Sequence, residues 1–119
     1  MQIMTEAYKD KIYFLPLTPQ KTEGVYARPL SSTERRKATM EAAREAGGDM
    51  IVGTYLESVK MLEMSLVDWK GFVDMGGEEV KFSPGIVKTV CETDPDLMAQ
   101  ILGRIKNVAR YGEEDDRKN

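Results

Sequence analysis

The feature that most constrains the fold is a pair of glycines, Gly47 and Gly48, between two stretches of helix-forming sequence. Glycine adopts the left-handed backbone conformation at which helices commonly end. Asp49 follows directly, and its carboxylate can accept hydrogen bonds from the free amides at the start of a helix. The sequence therefore predicts one helix that ends at the glycines and a second that begins immediately after them.

Both helices carry further local signals. Residues 31–34, Ser-Ser-Thr-Glu, match the capping-box pattern, in which a serine hydroxyl and a glutamate satisfy amides of the first turn. We expect the first helix to begin there and to continue through Ala46. In the second helix, apolar residues at alternating spacings of three and four predict one buried stripe, made of Val52, Leu56, Val59, Leu62 and Leu66.

The segment before these helices favours β structure. Residues 11–17 and 25–30 are rich in β-branched and aromatic side chains, and Thr, Pro and Gly occur between them. This pattern predicts a small β-hairpin or a pair of extended segments. Pro16 and Pro29 each lack an amide donor, so both strands should lie at a sheet edge or end at those residues.

The segment after the second helix alternates turns with short elements. Turn residues dominate 67–77, and residues 79–82 alternate polar with apolar types, which predicts a short strand or hairpin. Ser83-Pro84 predicts the start of a short third helix. Asp94-Pro95-Asp96 predicts the start of a final helix closed by Gly112, with an apolar stripe made of Leu97, Met98, Ile101, Ile105, Val108 and Ala109.

The predicted fold class is therefore mainly α, of α+β type, with an N-terminal β-hairpin or extended segment, about four helices and a short central β-turn or hairpin. The 119 residues suit a single domain covering 1–119, with frayed ends at 1–10 and 113–119. The chain has no apolar run long enough to span a bilayer, no secretory signal and a single cysteine. These features favour the cytoplasm, with no membrane partner.

Charge argues against nucleic acid as a partner. The formal net charge is −3 and the pI is near 5.1, which gives a net repulsion from phosphate backbones. The one basic stretch lies in the first helix, whereas in a helix-turn-helix protein the second helix reads the bases. A solvated helix face is the preferred interpretation of its residues, Arg35, Arg36, Lys37 and Arg44.

No combination of residues predicts catalysis, a metal or a cofactor. The chain has no histidine, which excludes Ser-His-Asp, Cys-His and histidine-containing zinc sites. Cys91 lies on an apolar stripe beside Glu92, a setting that raises a thiol pKa and favours a small core residue. The carboxylates around the central turn do not follow the EF-hand order of ligands and are interpreted as surface charge; they are Asp68, Asp74, Glu78 and Glu79.

Four residues are candidates for binding a partner protein. Met61 and Met64 flank the main stripe, and methionine suits surfaces that repack around varied apolar partners; simple core filling is the alternative. Trp69 and Phe72 lie where the second helix meets the turn. Trp69 either packs there, with its indole donor bonded to backbone, or serves as an exposed anchor for a partner.

The order of these elements resembles the tail assembly chaperones of long-tailed bacteriophages and prophages. In that family an apolar helix runs into a Trp-containing segment, then an acidic Gly turn, a Phe-Ser helix start and a short helix leading to a last one. The resemblance covers residues 25–110. The stretches that carry it are Leu66-Val67-Asp68-Trp69-Lys70-Gly71-Phe72-Val73-Asp74, Gly76-Gly77, Val80-Lys81-Phe82-Ser83, Asp94-Pro95-Asp96-Leu97 and the upstream Leu30-Ser31-Ser32-Thr33-Glu34-Arg35.

The resemblance implies a mainly helical, non-enzymatic protein of the bacterial host cytoplasm. It would hold the phage tape-measure protein soluble while the tail tube polymerises, contact tail-tube subunits as well, and self-associate into a homo-oligomer through its apolar faces. The first alternative is a small structural tail or connector protein that stays in the virion. A DNA-binding regulator that uses the basic first helix is the second alternative, and an enzyme comes last.

Overall fold

The computed structural model describes residues 11–106. Within this range the chain forms seven elements: β1 (Tyr13–Pro16), β2 (Gly24–Ala27), α1 (Ser32–Ala46), α2 (Met50–Ser65), β3 (Leu66–Lys70), α3 (Ile86–Thr93) and α4 (Pro95–Lys106). Four helices and one antiparallel sheet, in the order β1-β2-β3, confirm a small α+β fold for the described part. The predictions for 1–10, for Val108 to Gly112 and for 113–119 concern residues outside this range.

The two central helices begin and end where the local signals place them. The Ser31 hydroxyl accepts a hydrogen bond from the Glu34 amide at 3.1 Å, and the Glu34 carboxylate accepts one from the Ser31 amide at 3.1 Å. Gly47 ends α1 with φ of 60°. Asp49 then caps α2 by accepting from two amides at 3.0 Å each. The predicted pair of helices is confirmed.

The predicted N-terminal hairpin is also confirmed. β1 and β2 are antiparallel, with Tyr13 opposite Ala27 and Pro16 opposite Gly24. β1 is an edge strand that ends at Pro16, and β2 ends before Pro29, as the missing amide donors of proline require.

The third strand departs from the prediction. Leu66 does not continue the α2 stripe, because α2 ends at Ser65 and the chain passes directly into β3, which pairs with β2. A contact distant in sequence fixes this boundary: the fully buried Ser65 donates its hydroxyl to the Arg28 carbonyl, and the Arg28 amide donates to the Ser65 carbonyl at 3.0 Å. Arg28, which directly follows β2, thus satisfies the Ser65 carbonyl, a group that a longer helix would have satisfied internally.

Two smaller predictions are also corrected. The hairpin expected at 79–82 consists of a single bridge between Val73 and Glu79, closed by a turn at Asp74. α3 begins at Ile86, later than Ser83-Pro84 implied, and its N-cap, Gly85, makes no side-chain cap bond. α4 begins at Pro95 as predicted.

The buried apolar residues form one cluster shared by the sheet and the helices. It includes Leu15 and Val25 from the sheet, Leu62 from α2, Val87 from α3 and Ile101 from α4. The residues of α2 that enter the core, Val59, Met61, Leu62 and Ser65, all lie in its second half. The first half of α2 is therefore left largely uncovered.

Candidate functional site

An open apolar groove lies beside the uncovered first half of α2. It is bordered by Met50, Ile51 and Tyr55 of α2, by Cys91 of α3, and by Met98 of α4, and it encloses about 520 Å³. We call it the α2–α4 groove. Buried side chains of the second half of α2 form its floor, so the groove is continuous with the core.

The exposed rim of the groove is unusually apolar. Met50 and Ile51 are each 85% exposed. Val52 follows them but does not line the groove; it was predicted in the buried stripe and is 42% exposed. Burying such side chains is worth about 25 cal/mol per Å² of apolar surface, and contiguous exposed apolar patches mark sites of protein interaction. The prediction for Val52 was wrong because the residues of α2 that enter the core lie in its second half, so the stripe is not buried at its first turn.

The structure separates the four residues predicted from the sequence. Met61 (3% exposed) and Trp69 (6% exposed) belong to the core, whereas Met64 and Phe72 are half-buried against it. Met61 is therefore a core-filling residue and not part of an accessible groove, which corrects its proposed position. Any contact of these four residues with a partner stays a prediction.

Trp69 packs against its neighbours with its indole donor bonded to backbone, which is one of the two arrangements predicted from the sequence. Its indole nitrogen donates to the Val80 carbonyl at 2.7 Å. Its ring stacks on Phe72 with 4.6 Å between centroids and meets Phe82 edge-on at 5.2 Å. The indole thus fastens the connection after β3 to the sheet.

Phe72 also borders a second depression, on the side of α4 facing β3. Leu17, Val80 and Leu97 contribute to its wall, and the depression encloses about 630 Å³. Its lining includes the carboxylates of Glu23 and Asp74 and is more polar than the α2–α4 groove. We call it the β3–α4 depression, and it is the less suitable of the two for an apolar partner.

Two titratable side chains line the α2–α4 groove, Cys91 and Tyr55. Burial raises the pKa of the Cys91 thiol, and the carboxylates of Glu63 and Glu92 raise it further. Burial also raises the pKa of Tyr55, with a smaller contribution from Glu92. A raised thiol pKa keeps Cys91 protonated, which makes it a poor nucleophile, as the sequence predicted.

The carboxylates around the central turn have structural partners. The Asp74 carboxylate accepts hydrogen bonds from the amides of Gly76 at 2.8 Å and Glu78 at 3.0 Å, and so closes the turn. Among residues 11–106, no group of three or more Cys, Asp or Glu side chains is arranged to hold a metal ion. None of the helices in that range has the length and apolar character needed to cross a membrane.

The sequence contains a signal for the groove in the first turn of α2, beside the predicted buried stripe. Met50, Ile51 and Val52 are consecutive apolar residues directly after an N-cap, and a helix with one buried face needs only one or two of them to be apolar. Such a run predicts apolar side chains on the solvent face of the first turn.

No family model, no curated protein and no solved structure significantly matches this chain.

Proposed function

We propose that this chain is a protein of the phage tail assembly chaperone type, which binds amphipathic helices of the tape-measure protein in the α2–α4 groove. The observation that carries the proposal is the open apolar groove, with Met50 and Ile51 each 85% exposed at its rim. Covering these side chains with an apolar partner removes apolar surface from water, which favours binding against the cost of ordering the side chains.

The shape and chemistry of the groove suit a helix. An amphipathic helix presents apolar side chains at i, i+3, i+4 and i+7, and helix-in-groove binding inserts them between neighbouring helices. Met50 and Met98 line opposite walls of the groove. Unbranched, polarizable methionine side chains adapt to different apolar shapes, which suits a chaperone that must hold many segments of one long client.

The identity of the client comes from the resemblance of residues 25–110 to tail assembly chaperones. The structure contributes a site that could keep an aggregation-prone helical protein in solution. The raised thiol pKa of Cys91 is in keeping with a binding protein that carries out no chemistry.

Co-expression tests the proposal. We expect the chain to raise the soluble yield of the tape-measure protein of the same phage and to co-purify with it. Ile51→Asp places a charge on the apolar rim and should reduce co-purification about tenfold or more, because an unpaired carboxylate would face the client's apolar stripe. Since Ile51 is largely exposed, the circular dichroism spectrum should stay unchanged.

Two matched variants locate the site. Met40→Asp also converts an exposed apolar helix residue to aspartate, but on α1 and away from the groove, and it should bind the client like the wild type. Val73→Asp tests the β3–α4 depression. Loss of binding in Val73→Asp alone would move the site to that depression, and an unchanged soluble yield with wild-type protein would contradict the chaperone function.

A chaperone should also be absent from purified virions, where a structural tail or connector protein would be present.

A further inference from the structure

The segments that build the α2–α4 groove contain more acidic than basic residues. Residues 49–59 and 89–103 contain five carboxylates and no lysine or arginine. The carboxylates are those of Asp49, Glu57, Glu92, Asp94 and Asp96. Lys60, Lys88 and Arg104 lie directly outside these two stretches, so the absence of basic residues is confined to the stretches themselves.

Not all of these charges are available to a partner. Asp49, Asp94 and Asp96 lie at the starts of α2 and α4, where they offset the positive ends of the helix dipoles. Glu57 and Glu92 do not lie at the start of a helix, so no helix dipole offsets their charge. The same holds for Glu63, which lies six residues after Glu57 on α2. In residues 49–63 and 88–103, six carboxylates therefore stand against two lysines.

Nearby lysines offset part of this charge, and Lys60 of α2 interacts electrostatically with Glu63 as well as with α1. The Lys60 amine is drawn toward α1, at 2.8 Å from the Glu45 carboxylate and 3.9 Å from that of Glu41. Lys88 precedes Glu92 by one turn on α3 and is the nearest cation to it along that helix. Burial is the largest cause that raises the pKa of Cys91 and of Tyr55, which both line the groove; Glu92 raises both pKa values further, and Glu63 raises that of Cys91.

We infer that the occupant of the α2–α4 groove is a basic amphipathic helix of the client protein, with lysine or arginine flanking its apolar stripe; this inference rests on the proposed function. The apolar stems of such residues would lie on the rim formed by Met50 and Tyr55 while their charged heads reach the carboxylates. An acidic helix with the same stripe would be repelled, which gives the chaperone a basis for selecting among helices.

A second copy of the chain is a less suitable occupant. Among the described helices, α1 is the one with several basic residues, including Arg36 and Arg44. Its outward face offers a single large apolar side chain, Met40. One methionine is too little to fill a groove of about 520 Å³, although the charges would match.

Two labelled peptides test the inference directly. Both are designed 20-residue helices with the same Leu/Ala stripe, one flanked by lysines and the other by glutamates, and fluorescence anisotropy measures their binding to the intact chain. We expect the lysine peptide to bind about tenfold tighter or more at low salt, and the advantage to shrink at roughly 0.5 M salt, where the Debye length falls to a few ångströms. The double variant Glu63→Gln/Glu92→Gln should lose a few-fold of that affinity.

The control is Glu78→Gln/Glu79→Gln, which changes the net charge equally at the central turn, outside α2, α3 and α4, and should bind the lysine peptide like the wild type. Equal binding of both peptides, with both lost in Ile51→Asp, would overturn the basic-helix inference and leave the chaperone function standing. Concentration-dependent dimerisation that Ile51→Asp abolishes, measured by sedimentation, would overturn it in favour of a second copy. Failure to solubilise the tape-measure protein would instead contradict the proposed function.

Discussion

Glu34 connects the sheet to the first helix through a single carboxylate. Arg28, just after β2, donates to both of its oxygens, at 2.6 Å and 3.1 Å, and the Ser31 amide donates at 3.1 Å. The hydrogen bonds from Arg28 contribute most to lowering the pKa of Glu34 to about 2, and burial partly opposes them. One side chain therefore both completes the capping box and orients α1 against β2.

This contact predicts a specific acid sensitivity. A glutamate whose pKa is about 2 in the folded state and near 4.5 in the unfolded state stabilises the fold above pH 4.5, and the stabilisation is lost as pH falls from 4.5 toward 2. Glu34→Gln should cost about 1 to 2 kcal/mol of unfolding free energy at pH 7, a value reduced for solvent screening. Urea unfolding at pH 7 and pH 3 should show a smaller pH dependence in the variant.

The matched control is Glu78→Gln, since the Glu78 side chain is exposed at the central turn. That variant should retain the full wild-type pH dependence. If Glu34→Gln lost as much stability as the wild type between the two pH values, the Arg28 contact would not be the source of the acid sensitivity.

At the scale of elements, the connection after β3 depends on one glycine. Gly71 has φ of 82°, and a Cβ added there would lie 2.7 Å from the Thr22 carbonyl oxygen and 2.6 Å from the Glu23 Cγ. Gly77 has nearly the same conformation, φ of 83°, but open space around it. Substitution of Gly77 would therefore introduce backbone strain alone, whereas substitution of Gly71 would add a steric clash with the neighbouring segment.

Alanine substitutions make this comparison quantitative. Gly77→Ala should cost about 1 kcal/mol of unfolding free energy, from the left-handed backbone alone. Gly71→Ala should cost about 2 to 4 kcal/mol, because the added methyl group also collides with the segment that leads into β2. Chemical denaturation of both variants measures the difference, and equal losses would show that the β2–β3 edge adapts to the methyl group.

At the scale of the whole molecule, the sheet and the helices share one core. Val25 of β2, Leu62 of α2 and Ile101 of α4 are completely buried in the same cluster. Trp69 reports on the sheet side of this cluster, while circular dichroism reports on the helices. A shared core should make both signals change together.

Ile101→Ala tests this coupling. Removing the fully buried side chain should cost about 2 to 5 kcal/mol, and Trp69 fluorescence and helical circular dichroism should shift to the same new midpoint. Ile51→Ala truncates the same residue type at an 85% exposed position and should change stability by less than about 0.5 kcal/mol. Separate midpoints for the two signals in Ile101→Ala would contradict a single cooperative unit in the described part.

Prediction of the candidate site from the sequence was partial. Cys91 and Met98 were assigned to apolar stripes, and the structure buries both, yet they also line the groove. Met61 had two interpretations, core filling and a binding surface, and the structure buries it in the core. Spacing along one helix identifies an apolar face, but it does not show which part of that face another element covers.

The sequence by itself determined the features whose energetics are local. The capping box at Ser31, the left-handed stop at Gly47 and the Asp49 cap each depend on groups within one helical turn, so residue types at fixed spacing were enough. Tertiary structure alone decided the end of α2, the pairing of β3 and the position of the open groove. The Ser65 contact with Arg28 spans 37 residues, and neither its geometry nor the exposure of Ile51 exists until distant segments have packed.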